Sequence, residues 1–167
     1  MRQFAGPVLL EKSHDYMGFD CGKEPLNTFL IRHALANQAN DSARTFVGLE
    51  GGRVVGYYSL AVSSVLHEAA PERMAKGLAH HPIPILLMAR FAVDKSYQGR
   101  GIGTGVFKDA LRRCLNVSRD AAVRAFMVHA KDDEAKALYE RFGMPECPVN
   151  PYHLYFLMKD IERFLRA

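Results

Sequence analysis

At 167 residues, with 49% hydrophobic and 24% charged residues, the chain has the composition of one soluble globular domain, 1–167, with room for a core. No apolar run approaches the roughly 18 residues of a membrane helix. The N-terminus lacks the apolar stretch and cleavage site of a secretory leader, so a cytoplasmic chain is expected. Cys21, Cys114 and Cys147 are too far apart for a disulfide framework or a metal motif, and His80-His81 has no third ligand nearby. Net charge is only +4, yet the whole surplus falls between Lys95 and Arg141, where ten Lys/Arg stand against six Asp/Glu. A basic half suits a polyanionic ligand, although an ordinary solvated surface would show the same charge.

In chain order, PVLLEK (7–12) has the pattern of a short strand. KEPLNTFLIRHALANQ (23–38) follows as a helix, with Pro25 in its first turn and Leu26, Phe29, Leu30, His33 and Ala34 on one face. RTFVGLE (44–50) and RVVGYYSLAVSSV (53–65) flank Gly51-Gly52, the pattern of a hairpin. Residues 66–84 contain three prolines and read as a connection with one short helix, PERMAKGL. PILLMARFAVD (84–94) is a buried strand. The next helix, 101–120, carries an apolar stripe of Val106, Phe107, Ala110, Leu111, Cys114 and Leu115, with Arg112 and Arg113 outside it. VRAFMVHA (123–130) is a strand, DDEAKALYERFG (132–143) a helix with acidic residues at its start and glycine at its end, and HLYFLMKD (153–160) the last strand. A short helix, IERFLRA, ends the chain. This order predicts an α/β (α+β) domain: a mixed central sheet flanked by helices on both sides.

The stretch YQGRGIGTG (97–105) sits where a strand meets a helix. Helix-initial amides have no intrahelical acceptors and carry the positive end of the dipole, so a glycine-rich entry lets an anion meet them directly. Neither the Walker spacing nor GxGxxG is present: the third glycine of the latter would fall on Thr104 or Val106. ATP and NAD are disfavoured accordingly.

Gln98-Gly99-Arg100-Gly101-Ile102-Gly103 matches the Q/R-x-x-G-x-G/A signature of the Gcn5-related N-acetyltransferase (GNAT) family, and Ala89-Arg90-Phe91-Ala92-Val93-Asp94 is similar to the strand before it. The resemblance implies a GNAT fold that takes acetyl-CoA as co-substrate. Backbone from Gln98 to Thr104 (Gln98, Gly99, Arg100, Gly101, Ile102, Gly103, Thr104) would cradle its pyrophosphate. Phe91, Ala92 and Val93 would pair with its pantetheine arm.

Acetyl transfer to an amine leaves a CoA thiolate that needs a proton, and a thiol of pKa about 8.5 can take one from a phenol. GNAT enzymes often carry a tyrosine for this on the helix corresponding to 132–143, where Tyr139 is the only one. By periodicity alone Tyr139 would be a core residue; the resemblance implies the general acid. Glu134, Glu140 and His129 are conceivable bases, but an amine of pKa near 8 is already partly neutral and needs none.

The stretches FDCGKEPLNTFLIRHALANQANDSARTFV, VVGYYSLA, PIPILLMARFAVDKSYQGRGIG and VRAFMVHAKDDEAKALYERFGM resemble the GNAT toxins of bacterial type II toxin–antitoxin modules. That likeness implies acetylation of the α-amine of aminoacyl-tRNA and a block of translation. It also implies a homodimer and a ribbon-helix-helix antitoxin. Arg90, Lys95, Arg112, Arg113, Lys131 and Lys136 are the basic residues available to RNA phosphates. The alternatives are a GNAT enzyme for a small-molecule or protein amine, and a catalytically inactive CoA-binding regulator.

Overall fold

The computed structural model describes residues 4–167. Six strands lie in one sheet in chain order: β1 (Phe4–Leu9), β2 (Arg44–Glu50), β3 (Arg53–Val65), β4 (Ile83–Val93), β5 (Ala125–His129) and β6 (His153–Leu157). The sheet is mixed, as expected: β1/β2, β2/β3 and β5/β6 are antiparallel, and β4/β5 is parallel. The helices are α1 (Glu24–Thr28), α2 (Ala34–Ala39), α3 (Glu72–Ala75), α4 (Ile102–Asp120), α5 (Asp133–Arg141) and α6 (Met158–Arg166).

The chain divides into two compact units. One comprises the residues up to Ala61 together with Ala89–Ala110; the other comprises Val62–Met88 and Leu111–Ala167. The first has its core in Leu10, Phe19, Phe29, Leu30, Val47 and Tyr57, the second in Met74, Ile83, Ile85, Met127 and Tyr155. Full burial of each such side chain contributes roughly 1.5–3 kcal/mol. The three cysteines are free and buried.

Three elements differ from expectation. The first strand runs over Phe4–Leu9 because the chain turns at Glu11, whose carbonyl accepts the His14 amide at 3.1 Å. The helix from Pro25 is interrupted by a π-turn at Phe29–His33, closed by the Ala34 N–H on the Phe29 carbonyl. The wider turn puts Phe29, Leu30 and Ala34 in the core and leaves His33 exposed. The last strand stops at Leu157 because Asp160 accepts the Leu157 N–H at 2.9 Å, capping α6, and is gripped by Arg73 at 2.9 and 3.1 Å.

Candidate active site

Between β4 and α4 the chain is held by side chains from below. Asp94 is 2% exposed. Its carboxylate accepts the Ser96 amide at 2.9 Å and the Asp20 amide at 3.1 Å, and the Arg53 guanidinium lies 3.7 Å away. Asp20 in turn accepts Lys95 Nζ, Asn27 Nδ2 and the Gly22 amide, each at 2.9 Å. The Lys95 hydrogen bond, followed by those from Gly22 and Asn27, holds the Asp20 carboxyl down at about 2. Gln98 does not reach outward. Its amide donates to the carbonyls of Val93 at 2.9 Å and Cys21 at 3.3 Å. The loop is thus tied to residues 20–27, a contribution that sequence reasoning missed.

On this support the glycines do two different jobs. Gly99 and Gly101 have φ of +79° and +80°, a region L side chains rarely adopt. A Cβ on either, or on Gly105, would meet nothing within 4 Å. Packing therefore does not require glycine there; the turn does, and the bare backbone is open to a ligand. Gly103 is the opposite case, since its Cβ would lie 3.4 Å from Val93 Cγ2 and 3.8 Å from Phe91 Cζ. Ile102 opens α4 and packs on Val55, Val93 and Tyr97. Arg100 is exposed, with its guanidinium 5.1 Å from the Tyr97 ring centre, and Thr104 is exposed beyond it. Ala92 and Val93 are buried, and Phe91 meets Phe107 edge-on at 6.1 Å. Positive-φ glycines ahead of a nineteen-residue helix fit a pyrophosphate.

Every residue expected to bind the cofactor falls in the first unit, and Tyr139 falls in the second. Tyr139 lies on α5, whose N-terminus is capped by Asp132 accepting the Ala135 amide at 2.8 Å. It is 6% exposed, and burial pushes its phenol well above the usual tyrosine range. The hydroxyl stays protonated at neutral pH, the state a proton donor needs. Ala135, Leu138 and Phe142 are half-buried on α5, while Glu134 and Glu140 are exposed. His129 stacks on His153, with ring centres 3.8 Å apart and planes 14° from parallel. Burial, then the neighbouring His153, lowers the His129 pKa; burial alone lowers that of His153.

Not all the basic residues are available to a polyanion. Lys95 pairs with Asp20, Lys136 with Glu146 at 2.8 Å, and Arg90 stacks 3.7 Å over Phe29. Arg112 and Lys131 are exposed and Arg113 is half-buried.

Residues 11–144 match the acetyltransferase (GNAT) family. The chain belongs to that family. Its acetyl donor is acetyl-CoA, and the chain is an acetyltransferase of GNAT fold. It is 39% identical over 160 residues to the tRNA-acetylating toxin of Mycobacterium tuberculosis, covering 96% of each chain. A probable toxin, TacT, of Sinorhizobium fredii is 25% identical over 91% of this chain and 90% of its own. Among solved structures, AtaT complexed with acetyl-methionyl-tRNAfMet superposes with a TM-score of 0.87 at 26% identity, over 99% of both chains. A tyrosine-to-phenylalanine mutant of KacT gives 0.85 at 31% identity, over 90% of this chain and 92% of that one. AtaT has also been solved bound to the C-terminus of its antitoxin AtaR together with acetyl-CoA. Among the described residues no helix is long and apolar enough to cross a membrane, and no group of three or more His, Cys, Asp or Glu is placed to hold a metal.

Proposed function

We propose that this acetyltransferase is a toxin that moves the acetyl group of acetyl-CoA to the α-amine of aminoacyl-tRNA and so blocks translation. The observation that carries the reading is the 39% identity, over nearly the full length of both chains, to a tRNA-acetylating toxin. The likeness to AtaT with acetyl-methionyl-tRNAfMet supports the same acceptor.

Acetyl-CoA supplies an activated acyl group as a thioester. The amides from Gln98 to Thr104 hold its pyrophosphate, and the β4 backbone at Phe91, Ala92 and Val93 aligns its pantetheine arm. The neutral α-amine forms the new N–C bond as the C–S bond breaks. Tyr139 donates its phenolic proton to the departing sulfur, and the proton lost by the amine goes to solvent or to His129, which its lowered pKa keeps neutral. The amine of an aminoacyl ester, with a pKa near about 8, does not depend on a strong base.

The likeness to AtaT bound to the C-terminus of the antitoxin AtaR supports an antitoxin as a partner; that the chain works as a homodimer and that its antitoxin is of ribbon-helix-helix type are part of the same proposal. The direct experiment is transfer from labelled acetyl-CoA to charged tRNA beside the same pool deacylated. Label only on the charged pool is expected. Label on neither, from protein that binds acetyl-CoA, would move the acceptor to a small-molecule or protein amine.

A further inference from the structure

Two residues far back in the chain fix the entry to the glycine loop through their backbone. The Asp20 N–H donates to Asp94 Oδ2 at 3.1 Å, the Asp20 carbonyl accepts the Lys95 N–H at 2.8 Å, and the Cys21 carbonyl accepts Gln98 Nε2 at 3.3 Å. The place of Asp20 and Cys21 therefore sets the place of residues 94–98, and Gly99 and Gly101 follow directly.

Asn27 ties both of those residues to α1. It is 7% exposed. Its Oδ1 accepts the Cys21 N–H at 2.8 Å, and its Nδ2 donates to Asp20 Oδ1 at 2.9 Å. A backbone N–H can only donate and an ionised carboxylate can only accept, so the position calls for a side chain that does both. Leucine does neither and an aspartate carboxylate only accepts, although both are close to asparagine in size. The helix is itself anchored, because the hydroxyl of the buried Tyr57, on β3, donates to the Leu26 carbonyl at 2.7 Å. The whole relay, from β3 through α1 to the loop, lies within the first unit.

Resting on the assignment of residues 98–104 to the pyrophosphate, we propose that Asn27 is a positioning residue for acetyl-CoA binding, acting through Asp20 and Cys21 on Gln98 and the glycines after it. Its loss keeps the sequence of the loop and misplaces the amides, so affinity falls while the chemistry assigned to Tyr139 is untouched.

The test measures acetyl-CoA affinity by calorimetry for the wild type, Asn27→Leu, Asn27→Asp and Gly101→Val, with the melting temperature as the folding control. Asn27→Leu should raise Kd by roughly tenfold, the loss expected for a backbone and a charge-assisted hydrogen bond, with kcat unchanged at saturating acetyl-CoA. Asn27→Asp keeps the acceptor for Cys21 but sets a second carboxylate against Asp20. Lys95 Nζ and the Gly22 amide hold Asp20 ionised, and Asp94 adds a further carboxylate beside the Asp20 amide. A shared proton therefore goes to the introduced carboxyl, whose pKa rises, and once protonated that group again both accepts and donates. Relative to the wild type, Kd of Asn27→Asp should be raised at pH about 8 and return toward the wild-type value as pH falls to about 5, while Asn27→Leu stays weak throughout. A residue that only stabilises the fold would move the melting temperature and leave Kd alone. Unchanged Kd in both Asn27 variants, beside a weakened Gly101→Val, would overturn the positioning role and leave the loop as the cofactor site. A Kd raised equally at every pH in Asn27→Asp would overturn the donor role toward Asp20. Unchanged Kd in Gly101→Val would overturn the loop assignment itself, and that of Asn27 with it.

Discussion

The glycine loop ahead of α4 leaves bare backbone open, whereas α5 of the other unit buries the one side chain proposed to carry the chemistry. In the loop, Gly99 and Gly101 bring φ angles and bare amides, and the side chains of Asp94, Asp20 and Gln98 turn inward to brace them. In the second unit, the proposed chemistry rests on one phenol, Tyr139, buried on α5. The contrast matches the tasks. A pyrophosphate looks the same whatever the acceptor, so fixed amides serve it. An acceptor varies, and side chains can vary with it.

That contrast breaks most visibly at Tyr139. Tyr139→Phe removes one oxygen from a buried site and keeps the ring. We expect acetyl-CoA affinity to stay near the wild-type value and kcat to fall by roughly 10²–10⁴, the usual contribution of a positioned acid. Rapid-quench turnover beside calorimetric binding separates the two. A fully active variant would return Tyr139 to the role of a core residue.

Gly101→Val attacks the backbone side. At φ +80° a β-branched residue is strained, and its side chain would stand in the space left to the ligand. Loss of one or two charge-assisted hydrogen bonds predicts acetyl-CoA binding weaker by roughly ten- to a hundredfold. Gly103→Ala is the matched control: its Cβ would meet Val93 Cγ2 at 3.4 Å, a packing contact, and it should weaken binding less. Equal effects from the two would mean that the left-handed turn at Gly101 matters no more to the ligand than the packing contact at Gly103.

Asp94→Ala tests the brace. It strands the amides of Ser96 and Asp20, at about 1–3 kcal/mol for each unsatisfied donor. KM for acetyl-CoA should rise more than kcat falls, and the melting temperature should drop. An unchanged KM in a destabilised protein would make Asp94 a fold residue only.

Sequence legibility follows the same division. The glycine turn was readable because strand, turn and helix are contiguous, and the fold followed from helix and strand periods along the chain. Gln98 was recognisable as part of a motif, yet its inward bonds to Val93 and Cys21 were not, because Cys21 is 77 residues away. The end of β6 was misplaced for a similar reason: Asp160 is held by Arg73, 87 residues earlier. The π-turn at Phe29–His33 gave no sequence signal distinct from an ordinary helical stripe. The histidine pair depends on the β5/β6 register, which sets His129 opposite His153 and which no local pattern determines.

The smallest expected effect lies in that pair. Both imidazoles titrate below the ordinary value of 6.5 in the folded chain. In the window just beneath 6.5 the unfolded chain therefore binds more protons than the folded one, so stability rises with pH across that window and is flat above it. His153→Gln removes one titrating ring and also the neighbour that helps to depress His129. The variant should lose less melting temperature than the wild type between pH 7.5 and 5.5, by roughly 2–4 °C or less for a chain of this size. Identical pH profiles would mean that the stacked rings are solvated well enough to titrate as in the unfolded chain.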